Sequence, residues 1–269
     1  MAIYDCFQFF NEEHICDLRI NILDKFVDFF VIVESTCNHQ GKPKKLNFDL
    51  KKFKKYENKI IYVVVDDTDE AIKRPHTGGE SLVEQHQRNS IMKGIKNCND
   101  DDLIILSDVD EIPDLTKLNQ FNKKNKYAVF SQRAFAYKLN LLNESENNWH
   151  GSRMCLKKHL KSPQWLRNLK FKKYPFWRID KPKNLQIIED GGWHFAYLQS
   201  TENISKKIKS FAHGEFNQPH LNDPKTINEK INMKKDIFNR NIKYKKVEID
   251  NTFPKYIIEN KDKFKEWII

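Results

Sequence analysis

The chain has 269 residues, enough for one large α/β domain or for a core with a small extension, and two full domains are not expected. Aromatic residues make up 12% and charged residues 31%, a balance that excludes disorder. The net charge of +10 comes mostly from lysine, with only eight arginines, and reads as a solvated basic surface. Without a compact run of basic and aromatic residues, no specific nucleic-acid partner is expected.

Five cysteines (Cys6, Cys16, Cys37, Cys98, Cys155) are odd in number, widely spaced and free of any C-x-x-C pair. They suggest neither a disulfide framework nor a zinc site. No stretch approaches the ~20 apolar residues of a membrane span, and an acid at Asp5 argues against a signal peptide. These features lead to the expectation of a reducing, cytoplasmic compartment, where the basic surface allows peripheral contact with an anionic membrane. The Lys-rich stretches 42–55 and 157–173 are where such contact would occur.

In chain order, Tyr4 to Phe10 reads as a strand, and Asn11 as the N-cap of a helix that spaces Ile15, Leu18 and Ile22 on one face. Phe29 to Val33 is a buried strand ending at Glu34. Ile60 to Val65 repeats the pattern before Asp66-Asp67, and Leu103 to Leu106 repeats it before Ser107-Asp108. A helix over Ser81–Lys96, opened by a capping box of Ser81 and Glu84, separates the last two. Strand, helix, strand implies a parallel sheet, whose ligands bind beyond the carboxyl ends of its strands, where these acids gather.

Tyr127 to Tyr137 alternates like a strand, and 138–185 shows no clear period. Helices are expected over 201–212 and 226–239, and a terminal helix or strand over 254–269. The expected organisation is a catalytic domain over 1–216 and a C-terminal helical extension, 217–269, packed on the same body.

Three constellations carry chemistry. Asp108-Val109-Asp110 follows a buried strand and is closed by Glu111-Ile112-Pro113. Carboxylates two apart can share a hard divalent cation, Mn2+ or Mg2+, that also accepts diphosphate oxygens. Glu189-Asp190-Gly191-Gly192-Trp193-His194 joins two acids, two glycines, an aromatic able to stack on a sugar, and a histidine. Glu189 or Asp190 could take a proton from an acceptor hydroxyl. His213 is the third feature, a candidate metal ligand from the C-terminal region.

The ordered motifs Tyr4-Asp5-Cys6-Phe7, Val31-Ile32-Val33-Glu34-Ser35, Arg88-Asn89, Asp108-Val109-Asp110-Glu111-Ile112-Pro113 and Gly191-Gly192-Trp193-His194-Phe195 resemble glycosyltransferase family 17 over roughly residues 3–216. The resemblance implies a GT-A (Rossmann-like) α/β fold with a mixed, mostly parallel central sheet flanked by helices. It also implies a UDP-sugar donor, by default of N-acetylglucosamine, a divalent cation, and inversion at the anomeric carbon. Asp108 and Asp110 match the D-x-D motif, with Asp110 the more direct metal ligand. Glu34, Arg88, Asp108, Gly192 and Trp193 fall at positions for the nucleotide-sugar. Asp190 is the favoured base with Glu189 competing, and His213 the favoured metal histidine with His194 competing. The acceptor would be a glycan or lipid-linked glycan. The competing readings are a phosphatase forming an aspartyl-phosphate, a glycosidase using Asp110 and Asp190, and a glycan- or nucleic-acid-binding protein without turnover.

Overall fold

The structure is a computed structural model and describes all residues except 74–80, 147, 173, 174, 176, 179–181, 184 and 211–221. Its elements begin with β1 (Ile3–Gln8), α1 (Glu13–Leu23), β2 (Phe29–Ser35), β3 (Ile60–Val65), α2 (Leu82–Asn89), α3 (Ile91–Gly94), β4 (Leu103–Asp108), β5 (Glu111–Pro113) and β6 (Tyr127–Ala136). There follow β7 (Leu141–Asn143), β8 (Trp149–Leu156), α4 (Pro163–Arg167), β9 (Leu185–Ile188), β10 (Gly192–Ala196) and α5 (Thr201–Ser210). The chain closes with α6 (Pro224–Asn232), β11 (Tyr244–Lys246) and α7 (Lys255–Glu259).

The strands form one sheet in the order β11-β7-β6-β8-β4-β1-β2-β3, with β5, β9 and β10 attached near β6. The expected mostly parallel sheet needs correcting. From β3 to β4 the pairing is parallel, but β8 runs antiparallel to both β4 and β6. Among the described residues, parallel and antiparallel pairings are equally numerous.

The apolar strands read as continuous runs because both faces of the sheet are covered. Phe7, Phe30, Ile32 and Ile105 enter one core, while Tyr4, Cys6, Val31, Val33, Ile104 and Leu106 enter the other. Gly94 lets α3 lie directly on the sheet, because a Cβ there would stand 2.4 Å from Val31 Cγ1. A third cluster joins Tyr137 and Leu141 to Ile204 and Ile208 of α5 and Ile227 and Ile231 of α6. The stretch expected as a C-terminal helical extension carries α6 and α7 and also supplies β11, paired with β7, and its Ile257 and Phe264 enter the first core.

Local chemistry moves several boundaries. Helix α1 starts after Glu12, not Asn11, because the Glu12 carboxylate folds back to accept from the N–H groups of Phe10 and Asn11 at 3.1 and 3.0 Å. The capping box at Ser81 does not form, since the Ser81 hydroxyl donates instead to the His39 carbonyl at 2.6 Å. The helix expected over Ser81–Lys96 is broken at Ser90, whose hydroxyl donates to the His86 carbonyl at 3.0 Å. Strand β8 went unread because its first half is polar where it lines the site described next. No described helix is long and apolar enough to cross a membrane.

Candidate active site

The turn after β4 is shaped from below by one buried arginine. Arg19 of α1 is fully buried and grips Asp5 of β1 with two bonds of 2.7 and 2.6 Å. Its remaining nitrogen, Nη1, donates to the carbonyls of Asp108, Val109 and Glu111 at 3.1, 3.3 and 2.7 Å. With the carbonyls drawn inward, the guanidinium fork fixes the backbone that carries both acids of the D-x-D motif.

Asp108 lies under two arginines. Its carboxylate accepts from Arg167 Nη2 at 2.6 Å and lies 3.4 Å from Arg88 Nη2. Burial pushes this carboxyl up, but the charges of Arg167 and Arg88 outweigh it and hold it below the usual carboxylate range. Arg167 also reaches both oxygens of Glu111, at 2.8 and 3.0 Å. Glu111 is fully buried and accepts from the Trp149 indole at 2.7 Å and the Asp108 N–H at 3.0 Å. Arg88 also donates to Glu84 and Gln164, each at 2.6 Å, so it braces the turn from a buried position.

Asp110 is different. Among the described residues no hydrogen-bond donor reaches its carboxylate; His194 Nε2 faces Oδ1 at 3.8 Å, too far for a hydrogen bond. Burial raises its carboxyl above the usual range against the pull of His194 and Lys207. His194 lies flat against Trp149, with ring centroids 4.5 Å apart, and its Nδ1 is buried without a partner. Lys207 of α5 is tied to the buried Glu12 at 2.9 Å.

Glu189 and Asp190 are not brought to Asp110. Strand β10 pairs with β5 so that His194 lies opposite Glu111 and Gly192 opposite Pro113, and the Phe195 N–H donates to the Asp110 carbonyl at 2.9 Å. From Phe195 back to Gly192 is three strand steps, on the order of 10 Å, and Asp190 lies beyond Gly192. Its side chain is 87% exposed, with Lys117 Nζ at 3.9 Å. Gly192 has φ +132° and a Cβ there would stand 2.2 Å from the Ile112 carbonyl, so only glycine fits this turn. The Trp193 ring is buried in the core, its indole donating to the Thr252 carbonyl at 2.9 Å.

Glu34 faces inward as well. It is fully buried, and its two oxygens accept from Lys44 Nζ, the N–H groups of Asn47 and Phe48 at 2.8 and 2.9 Å, and the Tyr62 hydroxyl at 2.9 Å. No part of it is open to a nucleoside. Asp67 is engaged by Lys93 and His86, whose hydrogen bonds lower it to about 2. His213 lies outside the described residues.

Arg167, Arg19 and Trp149 are the site residues that sequence reading missed. Ser162-Pro163 marked the start of α4, and so the place of Arg167, since Ser162 Oγ caps Trp165 N at 3.1 Å with proline at the first turn.

A divalent cation is implied by the family resemblance, and the donors at the turn fit it in part. Two donors about 2.1 Å from one hard ion stand at most ~4.2 Å apart, so the 3.8 Å between Asp110 and His194 fits such an ion. Asp108, engaged by two arginines, fits less well. Among the described residues no group of three or more His, Cys, Asp or Glu side chains converges as a metal site, so phosphate oxygens or water would complete the coordination.

A mixed α/β sheet with an acidic turn at the carboxyl edge of a central strand is consistent with a glycosyltransferase. The family model for glycosyltransferase family 17 matches residues 1–268, essentially the whole chain, and the protein belongs to that family. No curated protein matches the chain.

Proposed function

We propose that the enzyme moves a sugar, N-acetylglucosamine by family default, from a UDP-linked donor to a glycan hydroxyl, in a cation-dependent, inverting reaction on a GT-A fold. The observation that carries this reading is the Asp110 carboxylate, 18% exposed, reached by no hydrogen-bond donor among the described residues and facing His194 across 3.8 Å. A largely enclosed carboxylate without a donor gains from a cation beside it. The strand order β3-β2-β1-β4-β8-β6, with the acidic turn at the carboxyl end of β4, supports the GT-A assignment.

In this reading Asp110 and His194 hold the cation, whose chemistry is to neutralise charge on the departing nucleoside diphosphate. Arg167 keeps Asp108 ionised and turned away from the cation, and adds positive charge at the diphosphate edge. Arg19 holds the turn rigid, so that donor binding needs no rearrangement of the backbone. The acceptor is a glycan or lipid-linked glycan. An aspartyl-phosphate mechanism finds less support, because Asp108, the nucleophile it needs, is clamped by Arg167.

Calorimetric titration of UDP, with Mn2+ and with a chelator, tests the proposal on wild type and Asp110→Asn. UDP binding that requires Mn2+ and disappears in the variant is expected. Equal UDP binding with chelator, or binding kept by Asp110→Asn, would overturn the cation assignment.

A further inference from the structure

Arg153 of β8 is a cation to which no acid is paired among the described residues. It lies opposite Leu106 of β4, on the sheet face where Leu106 and Leu166 of α4 share a core. Its Nη1 donates to the Gly151 carbonyl at 2.8 Å, and Arg167 Nη1 lies 3.5 Å from the same oxygen. Two guanidinium groups therefore meet at one carbonyl. Arg167 reaches on from there to Asp108 and Glu111. Glu111 accepts from the Trp149 indole, whose ring lies against His194. An unbroken chain of contacts thus joins Arg153 to the pair formed by Asp110 and His194.

The two arginines are held differently. Arg167 is matched by two carboxylates, at 2.6 and 2.8 Å. Among the described residues Arg153 makes only the hydrogen bond to Gly151, and its Nε is buried with no partner. Its Nε–Nη2 edge is empty. That is the edge by which Arg19 grips both oxygens of Asp5, at 2.7 and 2.6 Å, and it matches the spacing of two oxygens on a carboxylate or phosphate. Burial, and then the charge of Arg167, lowers Arg153 to about 10, the direction expected of an enclosed cation that lacks a counter-ion. Its charge reaches the D-x-D turn, since burial raises the Asp108 carboxyl while Arg167, Arg88, His194 and Arg153 lower it.

We infer that Arg153 is a donor-binding residue whose Nε–Nη2 edge takes two oxygens of one phosphoryl group of the nucleoside diphosphate, beside Arg167. The inference rests on the glycosyltransferase reading above and adds to it a residue that the D-x-D motif does not reveal. A nucleoside diphosphate carries more negative charge than one divalent cation neutralises, and the remainder falls to fixed cations. Arg167 and Arg88 are already committed to carboxylates, whereas Arg153 brings an unmatched charge.

The test is calorimetric titration of UDP into the full chain with Mn2+, for wild type, Arg153→Met and Arg153→Lys. Paramagnetic resonance of free Mn2+ follows cation binding without nucleotide. Arg153→Met should lose about tenfold or more in UDP affinity. It should keep its Mn2+ affinity and melt no lower than wild type, because the charge it removes leaves no partner stranded. Arg153→Lys should recover little, since an ammonium cannot fill both places of the fork. UDP affinity unchanged in Arg153→Met, or restored by Arg153→Lys, would overturn the inference; a lowered melting temperature at unchanged UDP affinity would make Arg153 a strut of β8 instead. Wild type that binds no UDP with Mn2+ sinks the donor site itself, whereas equal binding by wild type and Arg153→Met sinks only the Arg153 assignment.

Discussion

The carboxyl ends of β2 and β4 look alike in sequence and behave oppositely in the fold. Each is an apolar strand ending in acid, but Glu34 accepts from four donors, while Asp110 accepts from none among the described residues. A satisfied buried carboxylate ties a loop to the sheet, and one held without donors is left to bind a cation. Exposure follows the same division, with the Glu34 side chain at 0% and that of Asp110 at 18%.

The largest expected effect removes what holds the turn carrying Asp108 and Asp110. Arg19→Met strands the buried Asp5 and frees three carbonyls of the D-x-D turn, so it should cost about 3–5 kcal/mol in chemical denaturation. Arg19→Lys should recover part of that stability but little UDP affinity, since an ammonium cannot span Asp5 and the turn together. A lysine variant with wild-type UDP affinity would show that the turn does not need the fork.

Next comes Glu34→Ala, which leaves the Asn47 and Phe48 N–H groups, the Tyr62 hydroxyl and Lys44 without their acceptor. It should destabilise by about 2–4 kcal/mol. UDP affinity measured well below the melting temperature should stay near wild type, and a selective loss of UDP affinity at unchanged stability would return Glu34 to the nucleoside site.

Asp110→Asn should move the other way, raising stability by about 0.5–2 kcal/mol in the absence of metal while abolishing Mn2+-dependent UDP binding. A lower melting temperature would mean that the carboxylate is already satisfied.

The smallest effect is a pH dependence. Because burial raises the Asp110 carboxyl, the metal-free protein should lose a little stability as pH rises from the ordinary carboxylate range through the raised value. Mn2+ affinity should fall as pH drops through that same value, and Asp110→Asn should lack both trends. Glu12 has the opposite sign. Burial opposes its ionisation, but the charge and hydrogen bond of Lys207 lower it, so its contribution holds above the ordinary value of about 4.3 and fades as pH falls through the depressed one.

The parallel half of the sheet was legible because its strands are apolar on both faces, so the runs at Phe29, Ile60 and Leu103 stand out in the sequence. Strand β8 was hidden, since His150, Gly151, Ser152 and Arg153 break any apolar alternation where Trp149 and Ser152 donate to Glu111. The site divides in the same way. The place of Asp108 and Asp110 follows from a strand and its turn, whereas Arg167 meets Asp108 from a five-residue helix 59 positions away, a pairing that no local pattern encodes. Glu189 and Asp190 looked catalytic because acid, glycine and aromatic residues cluster there. Their distance from Asp110 is set by the β5–β10 register, which is a tertiary property.

That ladder also works as a gauge. Strand β10 is bonded to β5 on one side and to β6 on the other, so its length can neither stretch nor slip by less than a full two-residue register step. A slip of that ladder would carry His194 away from Asp110 by a whole step, so the pair that faces across 3.8 Å is kept in place by backbone bonds several residues away.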